Sequence, residues 1–222
     1  MATSRPELNF KILAATESDC AAFARIEDIS NSNASKTDPR NNISLVLFGL
    51  PSDTSARTKD LADKLQNDKS AHIWKAVITD SDGQEKIIAV SLWHFYLEPK
   101  VIDDWKDIEW RPTANQEGAN LFLRSAVAMR KKYMSGKVFG HLQVLATLPE
   151  YRGHGIGSAL IKQGLEEAAK NGLTDFWLES SNDGHALYEK FGFRDVEPIV
   201  IDLEQYGGEG LAPVRTMRRI PN

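Results

Sequence analysis

Scarcity sets the first limits on this 222-residue sequence. A single cysteine, Cys20, has no partner for an internal disulfide, which fits a reducing compartment. Five histidines, with no Cys-x-x-Cys or His-Glu-x-x-His spacing, offer no zinc ligand set, so no metal is expected. There is no excess of basic charge: 27 Lys and Arg stand against 31 Asp and Glu, a formal net charge of −4. Such a chain lacks the broad positive field that nonspecific nucleic-acid binding needs, so no nucleic-acid partner is expected. No apolar run approaches the roughly 18 residues of a spanning helix, and residues 1–7 lack the apolar core of a signal peptide. No membrane partner is expected, and the expected location is cytoplasmic. Internal repeats and low-complexity tracts are missing too.

What is present suffices for one sizeable core, since 41% of the chain is apolar. A single domain over residues 8–220 is expected. Phe10 to Ala15 alternates as a strand, and Ser18 or Asp19 caps a helix to about Ile29. Ser30 to Asn42 is polar and reads as a loop, of the kind that often grips substrate, before a helix from Arg57 to Gln66. His72 to Thr79 and Lys86 to Leu97 flank Ser81-Asp82-Gly83 and predict an antiparallel hairpin. Glu98 to Glu117 is irregular, with Pro99, Pro112, Trp105, Trp110 and the acidic set Asp103, Asp104, Asp107 and Glu109. It reads as an insertion or lid over a site, at about residues 98–118.

From Gly118 to Tyr133 the apolar spacing is helical. Then come a strand (His141 to Thr147), a helix (Gly155 to Lys170) stopped by Asn171-Gly172, a strand (Phe176 to Ser180) and a short helix (His185 to Phe191) ended by Gly192. Two strands, Arg194 to Leu203 and Val214 to Arg219, close the chain across Gly207-Gly208-Glu209-Gly210.

The informative motif stands between a strand and a helix: Arg152-Gly153-His154-Gly155-Ile156-Gly157-Ser158. A glycine-rich turn entering a helix presents unpaired backbone N–H groups at the positive end of the helix dipole, which suits a phosphate. Glycines let a ligand reach the backbone, and Arg152 supplies charge. A plain tight β-to-α connection would look the same, but two rivals are disfavoured. Ser158 and Leu160 stand where a dinucleotide fingerprint needs glycine or alanine, and no Gly-Lys-Ser/Thr follows for a P-loop.

Arg152-x-x-Gly155-x-Gly157, preceded by Leu145-Ala146-Thr147-Leu148-Pro149-Glu150-Tyr151 and followed by Leu187-Tyr188-Glu189-Lys190-Phe191-Gly192-Phe193, resembles the GNAT superfamily of acetyl-CoA-dependent N-acetyltransferases. The resemblance is tightest over Leu142 to Asp195. With Leu178-Glu179-Ser180-Ser181 it is similar to a large group of fungal members. It implies an α/β acyl-CoA N-acyltransferase fold, a mixed and mainly antiparallel sheet flanked by helices, with acetyl-CoA as co-substrate. Leu145, Ala146 and Thr147 would then meet the pantetheine arm along their strand. The stretch of Arg152, Gly153, His154, Gly155, Ile156, Gly157 and Ser158 would hold the pyrophosphate. Tyr188 matches the tyrosine that in many members protonates the departing thiolate; the alternative is a core aromatic. Where members often carry Asn seven residues before that tyrosine, this chain has Ser181, and Asn182 follows, so either could meet the coenzyme.

The acceptor is expected to be a small primary amine, in direct transfer through a ternary complex. Its deprotonation has no carboxylate on the expected strand, where His141 and Gln143 stand instead. His141, His94 and Glu179 are the candidates, acting directly or through water, and each has a structural alternative. Trp93 is expected to line the acceptor pocket, and the acidic cluster to attract a cation. A non-catalytic acyl-CoA-binding module, and an acetyltransferase for protein N-termini or lysines, are the rival readings. The expected assembly is a monomer or a homodimer.

Overall fold

A computed structural model describes residues 8–32, 38–49, 53–79 and 82–220. Among them a seven-stranded sheet runs in the order β1-β2-β3-β4-β5-β7-β6. Its strands are β1 (Lys11–Ala14), β2 (Ala71–Thr79), β3 (Glu85–Lys100), β4 (Lys137–Thr147), β5 (Phe176–Ser180), β6 (Arg194–Asp202) and β7 (Leu211–Arg219). Every neighbouring pair is antiparallel except β4 and β5. That parallel pair is short: Gly140, His141 and Leu142 face Phe176, Trp177 and Leu178, and the pairing stops there. β4 runs on to Thr147, still paired with β3 through Thr147 and Ala89, so the two parallel strands part beyond Leu142. The mixed, mainly antiparallel sheet follows the sequence expectation.

The helices are α1 (Cys20–Ser32), α2 (Ile43–Phe48), α3 (Ser55–Asn67), α4 (Gln116–Met134), α5 (Ile156–Lys170) and α6 (Asn182–Lys190). Both faces of the sheet are covered, which explains the continuous buried run Ile88 to Phe95 in β3. On one face Ile156, Leu160 and Ile161 of α5 pack on Trp74, Trp93, Phe95 and Phe176. On the other, Phe23 and Ile26 of α1 and Leu61 of α3 cover Ile73, Val90, Leu92 and Ala146. Beside them α4 sets Val127 and Met134 against Phe139 and Trp177. No helix of the described residues is long and apolar enough to cross a membrane.

Several boundaries move from their expected places. β3 continues past Leu97 to Lys100, because Pro99 falls in a register irregularity between Tyr96 and Lys100, where a missing N–H costs no ladder bond. The expected loop at residues 30–42 is partly helical. α1 extends to Ser32, and Asn42 caps α2 by accepting from the Ser44 and Leu45 amides, while residues 33–37 lie outside the described residues. Ser81 of the hairpin turn also lies outside them, but Gly83 has the expected positive φ of 78°. β4 starts at Lys137 and includes Gly140, where a Cβ would sit 2.6 Å from the Phe176 ring. α6 starts at Asn182, three residues before the expected His185.

Between β3 and α4, residues 101–110 have no regular secondary structure and form a strap. Its anchor is the buried Asn120 of α4. The Asn120 Oδ1 accepts from Trp105 Nε1 (3.2 Å) and the Ile108 amide (3.1 Å), and Nδ2 donates to the Ile108 carbonyl (2.9 Å). Lys131 pairs with Asp104 and Arg124 with Asp107, which fastens the strap to the outer face of α4.

Candidate functional site

The turn from β4 into α5 takes its shape from two glycines with left-handed backbone, Gly153 (φ 82°) and Gly155 (φ 79°). Gly155 is the N-cap of α5, and no side chain caps that helix start. The first-turn amides, residues 156–158, are therefore presented outward at the positive end of a 15-residue helix. Gly157 is close-packed as well, since a Cβ there would lie 3.1 Å from Leu187 of α6. Ile156 is 1% exposed and belongs to the core, so only its backbone faces this turn. His154 and Ser158 are half-buried. The Arg152 side chain is drawn elsewhere than expected: Nη2 donates to the Ser30 carbonyl (3.0 Å) and hydroxyl (3.1 Å), and Nε to the Thr147 carbonyl (3.3 Å). It ties the turn to the end of α1 and the end of β4.

Leu145, Ala146 and Thr147 lie on the part of β4 that β5 no longer accompanies. Across the fork, Ser181 caps α6 by accepting from the Gly184 amide, and Asn182 is exposed at the first helical position. Tyr188 is 8% exposed, its ring 6.2 Å from Phe193 and against Gly184. Burial raises its pKa well above the ordinary phenol value, so it is a protonated donor at neutral pH.

On the face opposite α5, a cavity of about 410 Å³ lies under the strap. Its lining includes His94, Tyr96, Arg130, His141 and Gln143, with Asp103, Trp105 and Ile108 supplied by the strap. The end of the β4–β5 pairing, Leu142 with Leu178, falls between His141 and Gln143, so the cavity meets the fork in the sheet. A register shift opposite Leu92 and Trp93 leaves Gln143 bulged out of the β3 ladder.

The three residues expected to handle protons gather here. The His141 Nε2 is 3.0 Å from Glu179 Oε2, and the Trp177 indole donates to Glu179 Oε1 at 2.8 Å. Arg130 lies 3.7 Å from Glu179, and its Nη1 is 2.8 Å from His141 Nε2. Burial, then the Arg130 cation, push the His141 pKa down to about 4. Although burial alone would raise it, Glu179 is held down at about 2, chiefly by Arg130 and His141. The pair is a neutral imidazole beside a carboxylate: with Nε2–H on Glu179, the ring's acceptor is Nδ1, 3.1 Å from Arg130 Nη1. His94 lies 6.3 Å from the His141 ring, with Nε2 2.9 Å from Gln143 Oε1. Its pKa is lowered by burial, while Gln143 and Asp68 act in the other direction.

Trp93 does not reach this cavity. Successive strand residues point to opposite faces, so Trp93 turns its ring onto α5, where a Cβ on Gly164 would lie 2.4 Å away, and it is fully buried. Sequence reasoning missed Arg130, Tyr96 and the strap residue Ile108 as cavity lining. Arg130 had a signal, a cation in an otherwise amphipathic helix, but only the fold shows which face it occupies.

Comparison with known proteins bears on this arrangement. Residues 117–195 match the family model of an acetyltransferase (GNAT) domain. Over 59 residues the chain is 39% identical to a glucosamine 6-phosphate N-acetyltransferase of Trypanosoma brucei brucei, covering 27% of this chain and 40% of that protein. Over 55 residues it is 38% identical to a [ribosomal protein bS18]-alanine N-acetyltransferase of Haemophilus influenzae, covering 24% and 38%. The chain thus matches about two fifths of the length of each of these relatives. Among solved structures, an N-acetyltransferase of Thermoplasma acidophilum in complex with coenzyme A superposes with a TM-score of 0.54 at 14% identity, over 96% of this chain and 100% of that one. This is the GNAT fold. In GNAT terms, the fork between β4 and β5 and the uncapped start of α5 belong to the matched segment, whereas β1 to β3, α1 to α3 and the strap lie outside it.

Proposed function

We propose that the protein is an acetyl-CoA-dependent N-acetyltransferase whose acceptor is a small primary amine bound in the cavity under the strap. The observation that carries the reading is the fork at Leu142 and Leu178, from which β4 runs on, unaccompanied by β5, toward the uncapped start of α5, with the cavity under the strap lying beside it. Amides of the turn at residues 153–158 would take the pyrophosphate, and the free edge of Leu145 to Thr147 would pair with the pantetheine arm as an added strand does. Ser158 and Asn182 flank that path, and Arg152 braces the turn. The amide-bearing groove suits the coenzyme, since the glycines leave no side chain between backbone and ligand.

An alkylammonium must lose a proton before it can attack, which at neutral pH costs about 4 kcal/mol for a pKa three units higher. The resulting amine attacks the thioester carbon, a backbone N–H at the fork steadies the oxyanion, and Tyr188 gives its proton to the leaving thiolate. The likeness to fungal members, a cytosolic location suited to the lone buried thiol of Cys20, and the extent of one domain over residues 8–220 are part of the same proposal. A cavity of about 410 Å³ has the dimensions of a small acceptor, although the curated relatives include a protein acetyltransferase.

The test is release of free thiol when the protein is mixed with acetyl-CoA and a broad amine panel. Turnover with small amines is expected. Tight coenzyme binding with no thiol released by any amine would instead favour a binding module, and labelling of protein N-termini alone would favour a protein acceptor.

A further inference from the structure

A set of hydrogen bonds runs from the cavity to the protein surface along the edge where α3 meets β2. Ser70 donates both its hydroxyl (2.7 Å) and its amide (2.9 Å) to Asp68 Oδ1. The same hydroxyl oxygen is 3.0 Å from His94 Nδ1, and Asp68 Oδ2 is 3.3 Å from that nitrogen. A serine hydroxyl has one proton, and a carboxylate has none to give. When that proton goes to Asp68, His94 Nδ1 faces two acceptor oxygens and carries the ring hydrogen. In the neutral ring the lone pair is then on Nε2, which points at Gln143 in the cavity. Once Nε2 has gained a proton, Gln143 Oε1 at 2.9 Å is there to accept from it, which favours the protonated ring.

We propose that His94 is the general base of the reaction, taking the acceptor's proton on Nε2, with Asp68 and Ser70 as positioning residues that fix its tautomer and lead the charge toward solvent. The proposal rests on the acetyltransferase reading above. His141 is less suited: its Nε2 proton is spent on Glu179, and protonating it would put a second buried cation against Arg130. His94 has a carboxylate behind it, and the Asp68 side chain is 40% exposed, so the proton has an exit. In the balanced step an acceptor R–NH3⁺ gives one proton to His94 Nε2. Its nitrogen bonds the acetyl carbon, the C–S bond breaks with its electron pair on sulfur, and a second nitrogen proton replaces the one Tyr188 gives the thiolate. The amide keeps the third, and one proton leaves through His94.

The charged and titratable groups around His94 are Asp68 and Lys64 from the α3 side, Tyr96 on its own strand, His141 on β4, and Arg130 on α4. Of these Asp68 favours the protonated ring, and Lys64 and Arg130 oppose it. Three readouts test the assignment. Nitrogen-15 NMR should find His94 in the Nδ1–H form at neutral pH; an Nε2–H form would overturn it. His94→Gln should lower kcat by about 10²- to 10³-fold and remove the acid limb of the pH profile, with coenzyme binding by calorimetry unchanged. Asp68→Asn, at a partly exposed position, should cost about tenfold and move the acid limb to lower pH, because the lost carboxylate had favoured protonation; a purely structural role would leave the limb in place. A His94→Gln enzyme with wild-type kcat overturns the base alone, whereas a wild-type protein that releases no thiol with any amine overturns the acetyltransferase reading itself.

Discussion

At the scale of single residues, conformation and burial do most of the deciding. Gly155 sits at φ 79°, where a β-branched residue is strained by about 1–3 kcal/mol, and it opens the helix start proposed to meet the pyrophosphate. Gly155→Val should therefore abolish coenzyme binding in calorimetry and also lower the unfolding midpoint; an unchanged dissociation constant would rule out this turn as the coenzyme site. Tyr188, on the buried face of α6, is the proposed proton donor to the departing thiolate. Tyr188→Phe should lower turnover by roughly 10- to 1000-fold with coenzyme affinity unaltered, and wild-type turnover would remove the phenol from the mechanism. The glycine turn into α5 and the short helix carrying Tyr188 were legible because glycine spacing before a helix and the Leu-Tyr-Glu-Lys-Phe-Gly-Phe run are local signals. Trp93 was not, since the orientation of a strand residue depends on which neighbour covers each face.

At the scale of elements, helices with a clear stripe and the hairpin around Gly83 could be read from the chain, while interrupted elements could not. Pro99 and Pro213 lie inside β3 and β7, and Gly184 inside the first turn of α6, so each shortened the expected element. Their costs are met by position: an irregular register, pairing at the sheet's outer strands, and a Ser181 cap. Packing between elements gives a sharp expectation at Gly164. A methyl there meets a fully buried indole at 2.4 Å, so Gly164→Ala should destabilise by about 1–3 kcal/mol in urea titration despite its better helix propensity. The strap has one buried anchor beside its surface ion pairs. Asn120→Ala leaves the amide and carbonyl of Ile108 without their partner, and hydrogen exchange at Ile108 should quicken markedly while exchange in the β3 core stays slow. Equal exchange would show that the strap holds by other contacts.

At the scale of the whole molecule, the buried charges of the cavity tie stability to pH. His141 binds a proton more readily unfolded than folded, so between its ordinary value of 6.5 and about 4 stability falls as pH falls. Glu179, depressed to about 2 in the fold, contributes stability that is present above the ordinary carboxylate range and is lost as pH drops below about 4.5. Asp19, lowered by Lys75 against the opposing effect of burial, adds in the same direction. The urea midpoint should thus decline progressively from pH 7 to pH 4 and more steeply below; a flat midpoint down to pH 4.5 would show that His141 is not held neutral.

The sheet's narrowest connection has its own consequence. Four strands on one side and three on the other meet through only three rungs, and the groove proposed for the carrier begins where those rungs end. A cargo lying there would touch both flanks and staple them, so its arrival should slow exchange on β4 and β5 together, and saturation at about a hundred times its dissociation constant should raise unfolding free energy by about 2.7 kcal/mol. The weakest seam in the backbone ladder would then be the one the ligand mends.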